Sequence, residues 1–394
     1  MAKGNVKKGF ATYLVILLTA IIAAFFIIVT VMFFSPFKGI LGFKYFMYND
    51  EVNVQEIQYD NHTIKYDFYY IDKVTIDCNY ANVFIERNNI DAGVVTIENR
   101  CSGFSREDQN TDFTYDITFA DNSYKEINIK VREPEGFLFF KKDINITINV
   151  SRARAQSLEN TIIDINNTNG DVYVGKNVLS QEDLAHNPEL SIKELNVKTV
   201  KGDLVIFNYN KKIDRLFVKT TKGSVDIRGS VKIGELDLHA SQADIEMTAV
   251  DVDTAVLDLD NSDFETKYIK ANSVDLSINN GHLDVESFQG AISSNKMIYD
   301  MGKAEINIGK VDGYVSIPNA NKAKIWIGEV TSKSQVYLRG YSTNINVDKL
   351  SGMAFVETTS GDVNVKTSQD TSTKPIVNIK TGSGKVELEY NREA

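Results

Sequence analysis

Gly202-Asp-Leu-Val-Ile206, Gly223-Ser-Val-Asp-Ile227 and Ala243-Asp-Ile-Glu-Met247 share one pattern: a small turn residue, a polar residue, then apolar-x-apolar. The pattern starts at Gly170-Asp-Val-Tyr-Val174. It recurs at Ser262-Asp-Phe-Glu-Thr266, Gly281-His-Leu-Asp-Val285, Ala304-Glu-Ile-Asn-Ile308, Ala323-Lys-Ile-Trp-Ile327, Thr343-Asn-Ile-Asn-Val347, Gly361-Asp-Val-Asn-Val365 and Gly384-Lys-Val-Glu-Leu388. The first two starts are 32 residues apart, and the later spacings run from 18 to 23. Seven and five residues before the turn lies a second apolar pair, as in Leu195/Val197, Leu216/Val218, Leu236/Leu238, Val274/Leu276, Met297/Tyr299, Val336/Leu338 and Val377/Ile379. One rung slips by a residue, to Val315/Ile317, and Ile192, Ile213, Ile233 and Val252 hint at a third short side.

A unit of about 20 residues cannot bury its own apolar face, whereas stacked units bury it continuously. The reading is therefore an all-β chain forming a β-solenoid, parallel β-helix-like, with about 20 residues per rung. A β-sandwich also has short alternating strands, but it does not demand eleven units in phase with a fixed offset between paired strands.

Working outward, residues 71–150 hold longer period-2 runs such as Val74-Thr-Ile76-Asp-Cys78, Ile127-Asn-Ile129-Lys-Val131 and Ile144-Asn-Ile146-Thr-Ile148. These place an N-terminal β-rich cap at 71–160 and the solenoid repeats at 161–390. An insertion at 175–191 carries the helix-start pattern Ser180-Gln-Glu-Asp183. Residues 36–70, rich in Tyr and Phe, form a stalk and first strands.

Phe10 to Phe34 contains no charged residue. Twenty-five residues at ~1.5 Å each exceed the ~30 Å hydrocarbon core of a bilayer. A cleaved signal peptide would be shorter and end at small residues, whereas this run ends in Met32-Phe-Phe-Ser-Pro-Phe37. A transmembrane helix over 10–35 follows, with a cytoplasmic tail at 1–9. Lys3, Lys7 and Lys8 hold the N-terminus inside, so the C-terminal domain is extracytoplasmic and the protein is single-pass in the cell membrane.

The chain carries 43 basic and 53 acidic residues, a net charge of -10. Residues 1–49 hold five lysines and no acid, which leaves 38 against 53, or -15, for the remainder. Such an acidic body argues against nucleic acid, whose phosphates demand Lys/Arg clusters. Cys78 and Cys101 both fall in phase with inward positions, so they are either a disulfide pair or two buried thiols.

The four histidines lack metal-ligand spacing, and no hydrolase or phosphate-loop motif is complete. No catalytic residue and no cofactor are expected. Asp226, Glu246, Glu265 and Asp284 occupy the outward position of four consecutive rungs and should stack ~4.8 Å apart. Like charges so placed need solvent, nearby lysines or a bound divalent cation such as calcium.

The rungs Thr168-Asn-Gly-Asp-Val-Tyr-Val174, Thr220-Thr-Lys-Gly-Ser-Val-Asp-Ile227, Thr358-Thr-Ser-Gly-Asp-Val-Asn-Val365 and Thr381-Gly-Ser-Gly-Lys-Val-Glu-Leu388 resemble the bacterial "putative adhesin" β-solenoid family. That family includes LiaG-like envelope proteins and autotransporter-adhesin head-type domains, and the resemblance covers about 72–390. The turn glycine gives way to Ala243, Ser262, Ala304, Ala323 and Thr343 in the central rungs. The resemblance implies the solenoid fold and surface binding, with no catalytic set. The expected function is non-enzymatic binding of an envelope glycan or surface protein. Two alternatives stand beside it: a scaffold or sensory subunit assembling as a homo-oligomer through solenoid ends, and a carbohydrate-active enzyme on a β-helix.

Overall fold

The structure is a computed structural model that describes residues 15–27, 43–54, 56–59, 62–65, 71–88, 94–106, 108–120, 125–136, 138–151, 158–175, 191–207, 211–293, 298–299, 304–368 and 375–391. Residues 15–27 form an α-helix about 20 Å long. Among the described residues no helix is long and apolar enough to cross a membrane. The span expected over 10–35 runs past both ends of that helix, onto residues outside the described ones. The 1–9 tail and residues 176–190 of the expected insertion lie outside them as well. Among the described residues all other regular structure is strand, apart from a 3₁₀ turn at 158–160.

The chain divides into two compact units. The smaller comprises 1–50, 99–113 and 133–143, and its strand Phe43–Met47 pairs antiparallel with the chain from Ser102 to Arg106. The larger comprises 51–98, 114–132 and 144–394, and it is the solenoid.

The solenoid is a parallel stack because each strand repeats the inward residues of the one below. On the side following the turn, Val172 pairs with Leu204, Leu204 with Val225, Val225 with Ile245, Ile245 with Phe264, and Phe264 with Leu283. The row continues through Ile306, Ile325, Ile345, Val363 and Val386. All of these except the last are buried. On the side preceding the turn, Ile163, Leu195 and Leu216 form a second row, and Ala255, Val274 and later residues extend it. The third side is real: Ile192 lies over Ile213, Ile233 pairs with Val252 and Val252 with Ala271, and two positions earlier Val231, Val250, Ile269, Phe288, Val311 and Val330 make a second continuous inward row.

The region read as a strand-rich cap contributes rungs itself. Lys73–Tyr80 and Asn82–Asn88 lie directly below Ile162–Asn169 and Val172–Val174. Glu126–Arg132 and the chain from Asn145 to Ser151 lie below those in turn. The stacking order therefore departs from chain order, since the rung made by 126–132 and 145–151 sits outside the rung at 73–88. Thr114–Phe119 then pairs antiparallel with Glu126–Arg132.

One detail corrects the sequence reading and another bears it out. Ile292, not Met297, takes the place above Val274 and below Val315; Met297 itself lies outside the described residues. That rung is longer than its neighbours, and the surplus follows Ile292. The one-residue slip at Val315/Ile317 is a bulge between Ile317 and Ala320, where Pro318 sits. Proline has no N–H to give to a ladder, so a bulge is where a strand tolerates it.

The replaced turn glycines also have a geometric explanation. Gly170, Gly202 and Gly223 take φ of 126°, 154° and 131°. In later rungs the left-handed residue moves one place earlier, to Gln242 (56°), Asn261 (49°), Asn280 (57°) and Lys322 (55°). With the positive φ carried there, Ala243, Ser262 and Ala323 can follow without penalty. Asn280 Nδ2 donates to Asn261 Oδ1 at 2.5 Å, so the two corners are laddered by their amides.

Candidate functional site

The outward flank of the strands following the turn carries the polar chemistry. Asp226 pairs with Glu246, Glu246 with Glu265, and Glu265 with Asp284, so the four acids form the column that the repeat implied. Asp244 and Asp263 stack beside them. Arg228 neutralises one end, with its Nη2 2.6 Å from Asp226 Oδ2. At the other end His282 Nε2 lies 3.8 Å from Asp284. Glu246 and Glu265 are exposed between them. Stacked carboxylates point along parallel directions and do not converge. Among the described residues, no group of three or more His, Cys, Asp or Glu is placed to hold a metal ion.

Further along the same flank the column changes character. Asp284 is followed by Asn307, Trp326, Asn346, Asn364 and Glu387. These residues floor an open groove of about 410 Å³, with Lys324, Asn344 and Lys385 along one side. Trp326 is the chain's only tryptophan and is 37% exposed. Its Nε1 donates to Asp348 Oδ2 at 2.8 Å, while Asn346 Nδ2 donates to Asp348 Oδ1 at 2.7 Å. Asp348 thus fixes an indole and an amide on adjacent rungs. A Cβ at Gly328 would come 2.4 Å from the Gly309 carbonyl oxygen and 3.0 Å from the indole Cη2, so this glycine lets the neighbouring coil approach beside the ring.

The groove's polar groups are partly committed to the stack. Lys324 Nζ pairs with Glu305 Oε1 at 2.6 Å, and Lys385 pairs with Glu387. Asn344 Oδ1 accepts from the Asp362 backbone N–H at 3.0 Å, and Asp362 Oδ1 accepts from that of Lys385 at 2.9 Å. Asn364 Oδ1 is sheltered from solvent and accepts no hydrogen bond. An aromatic face beside amides, carboxylates and ammoniums, repeated rung by rung, suits a polyhydroxylated chain: ring C–H groups against the indole, hydroxyls to the ladder.

A second groove of about 340 Å³ lies at the other end of the repeats, lined by Asp164, Asn166, Asn196, Lys198, Arg215 and Phe217. Asn196 Nδ2 donates to Asp164 Oδ1 at 2.7 Å, and Lys198 Nζ lies 5.9 Å from the Phe217 ring centre. His239 bridges Asp237 and Asp258, at 2.8 and 3.3 Å.

Cys78 and Cys101 are both free, buried thiols in this structure. Cys78 fills an inward position whose neighbours in the stack are Val131 and Asn167. Burial pushes its thiol up to about 12. Burial and the adjacent Asp171 likewise raise the Tyr173 hydroxyl to about 12.

The acid column was readable from the repeat, because an outward position is set by strand parity. The Trp326 groove was passed over. Its signal was the same column read four rungs further on, where Asp and Glu give way to Asn and Trp.

Residues 71–394 match the family model described as Toastrack DUF4097. Among curated proteins none matches the chain. Solved structures similar to it include a "putative adhesin" from Parabacteroides merdae, 13% identical with a TM-score of 0.31, covering 90% of this chain and 98% of that one. A "putative cell adhesion protein" from Clostridium sporogenes is 8% identical with a TM-score of 0.19, covering 87% and 100%. A "putative lipid binding protein" from Parabacteroides distasonis is 10% identical with a TM-score of 0.25, covering 87% and 97%.

Proposed function

The chain belongs to the Toastrack DUF4097 family, and we propose that this member is a membrane-anchored, extracytoplasmic β-solenoid that binds an envelope or surface glycan without turning it over. One observation carries the binding reading: the open groove around Trp326, with an indole clamped by Asp348 and a ladder of amides and charges on neighbouring rungs. The anchor is supported by the uncharged run 10–34 and by the described helix, whose large side chains are exposed on every side, from Ile22 at 50% to Phe25 at 64%. A helix apolar all round suits lipid better than one flank of a globular core.

Because Trp326 is the sole tryptophan, its emission reports on the groove directly. Titrating the detergent-solubilised full chain with envelope polysaccharide fragments is expected to shift and quench that emission. Trp326→Ala is expected to weaken capture by the same fragments about tenfold or more, as loss of a central aromatic contact does. Unchanged emission at saturating polysaccharide, or undiminished capture by the variant, would refute the groove as the binding site.

A second reading, assembly through solenoid ends, is favoured by the last described rung. Val386 and Leu388 sit over Val363 and Val365, which are buried, yet they are themselves 43% and 39% exposed. Apolar side chains at an open sheet edge template pairing. Light scattering of the full chain in micelles across concentration separates the readings, since a constant mass removes end-to-end assembly.

A further inference from the structure

The smaller unit carries an exposed aromatic surface. Phe43–Met47, the chain from Arg100 to Arg106, and the start of Leu138–Ser151 expose an apolar face. Met47 is 69% exposed, Phe140 54%, Leu138 45% and Tyr45 38%. Strand parity puts Tyr45 and Met47 on one side, with Phe46 buried on the other at 6% exposure. Tyr45 is paired with Phe104 in the ladder. The rings of Tyr45, Phe104 and Phe140 form one cluster, with centroids 5.6 Å (Tyr45–Phe104), 6.5 Å (Tyr45–Phe140) and 5.3 Å (Phe104–Phe140) apart. Both faces of this small sheet are thus aromatic, and one of them meets solvent.

Basic side chains sit on the same strands. Residues 43–47, 99–106 and 138–143 hold Lys44, Arg100, Arg106, Lys141 and Lys142 against Asp143, while the rest of the unit adds Asp50, Glu107, Asp108, Asp112, Glu133 and Glu135, and Lys142 pairs with Glu133. Arg100, Arg106 and Lys141 are exposed. Exposed apolar patches of this kind mark interaction surfaces. Aromatic rings mixed with basic side chains are the composition found at the headgroup level of membranes. Chain length places the patch there too: from Phe34, the end of the apolar run, to Phe43 is nine residue steps, at most ~30 Å of extended chain.

From exposure, charge and tether length together, we infer that this aromatic and basic face docks on the outer surface of the bilayer that holds the chain, with Met47, Leu138 and Phe140 at the acyl boundary and Arg106 and Lys141 among lipid phosphates. The occupant is the lipid surface, and anionic headgroups strengthen the contact. The inference rests on the anchored reading above, and the experiment keeps the two apart.

Met47→Cys and Leu138→Cys, at exposed positions in a chain whose native thiols are buried, are each labelled with an environment-sensitive dye. The full chain is reconstituted in vesicles containing phosphatidylglycerol. Alkali extraction on the same vesicles reports the anchor separately. The expected result is blue-shifted emission at both sites and loss of most of it with lipids spin-labelled near the headgroup, less with mid-chain labels. Vesicles of phosphatidylcholine alone should give weaker quenching.

Water-like emission at both sites in a chain that resists alkali overturns this inference and leaves the anchor standing. Blue-shifted emission that no spin-labelled lipid quenches overturns it in favour of a protein covering the face. A chain released by alkali refutes the anchor: dyes quenched before release support surface docking as the means of attachment, and water-like dyes sink both.

Discussion

At Gly202 a single missing carbon sets the closest approach of two coils. A Cβ there would lie 2.0 Å from the Gly170 carbonyl oxygen, and the residue's φ of 154° is one that side chains rarely adopt. Gly202→Ala is therefore expected to lower stability by about 2 kcal/mol or more, read as a drop in the urea midpoint. Lys322 is the opposite case, a long side chain held at φ 55°. Lys322→Gly should raise stability by about 1 kcal/mol as that strain is released, provided the exposed side chain contributes little else. An unchanged midpoint for both variants would contradict the two-corner account of the turns.

The buried thiol has a pH signature of defined sign. Cys78 ionises near its ordinary 9 when unfolded and near 12 in the fold, because burial disfavours the thiolate. The folded state binds the proton more tightly, so this contribution to stability is intact below pH about 9 and drains away as pH rises from about 9 towards about 12. Native protein at pH 8 should resist alkylation at both cysteines and react fully in denaturant. Rapid native labelling of Cys78 would place it outside the core.

At the scale of one element, the acid column sets solvation against repulsion. Glu265 stands between Glu246 and Asp284 on adjacent strands. Like charges in that relation are mutually unfavourable, so Glu265→Lys should stabilise by about 0.5 kcal/mol at low salt. The gain should fade in molar salt, where the screening length falls to ~3 Å. Adding a calcium chelator is expected to leave the melting temperature of the parent chain unchanged, since stacked carboxylates do not converge on a point. A fall of several degrees would instead establish a cation in the column. The Trp326 groove uses the same stacking to opposite effect: the uncharged amides Asn346 and Asn364 stand on adjacent rungs without repulsion.

For the molecule as a whole, stability in the larger unit is a sum over neighbouring coils, and the ends count for less than the middle. Ile306 is fully buried, with Leu283 below it and Ile325 above, whereas Val386 has a neighbour on one side and is 43% exposed. Ile306→Ala should cost about 3 kcal/mol and Val386→Ala under about 1 kcal/mol, measured by chemical unfolding. Equal costs would mean that the last rung is covered in solution, which is what end-to-end assembly predicts. The smaller unit follows another logic: its sheet is aromatic on both faces, so its energetics depend on what meets the exposed one.

The amino-acid sequence alone determined the repeat, the inward rows, the outward acid column and the uncharged N-terminal run, because strand parity and a constant period turn position directly into orientation. Tertiary structure decided what depends on contacts between distant segments. It placed 126–132 and 145–151 outside 73–88, moved the left-handed corner one residue earlier in the central rungs, and put Ile292 in the row assigned to Met297. It gathered Trp326 and Asn346 into one groove, with Asp348 bonded to both. A period fixes which way a residue faces but not which coil lies above it, and both the groove and the aromatic sheet are made of such neighbours.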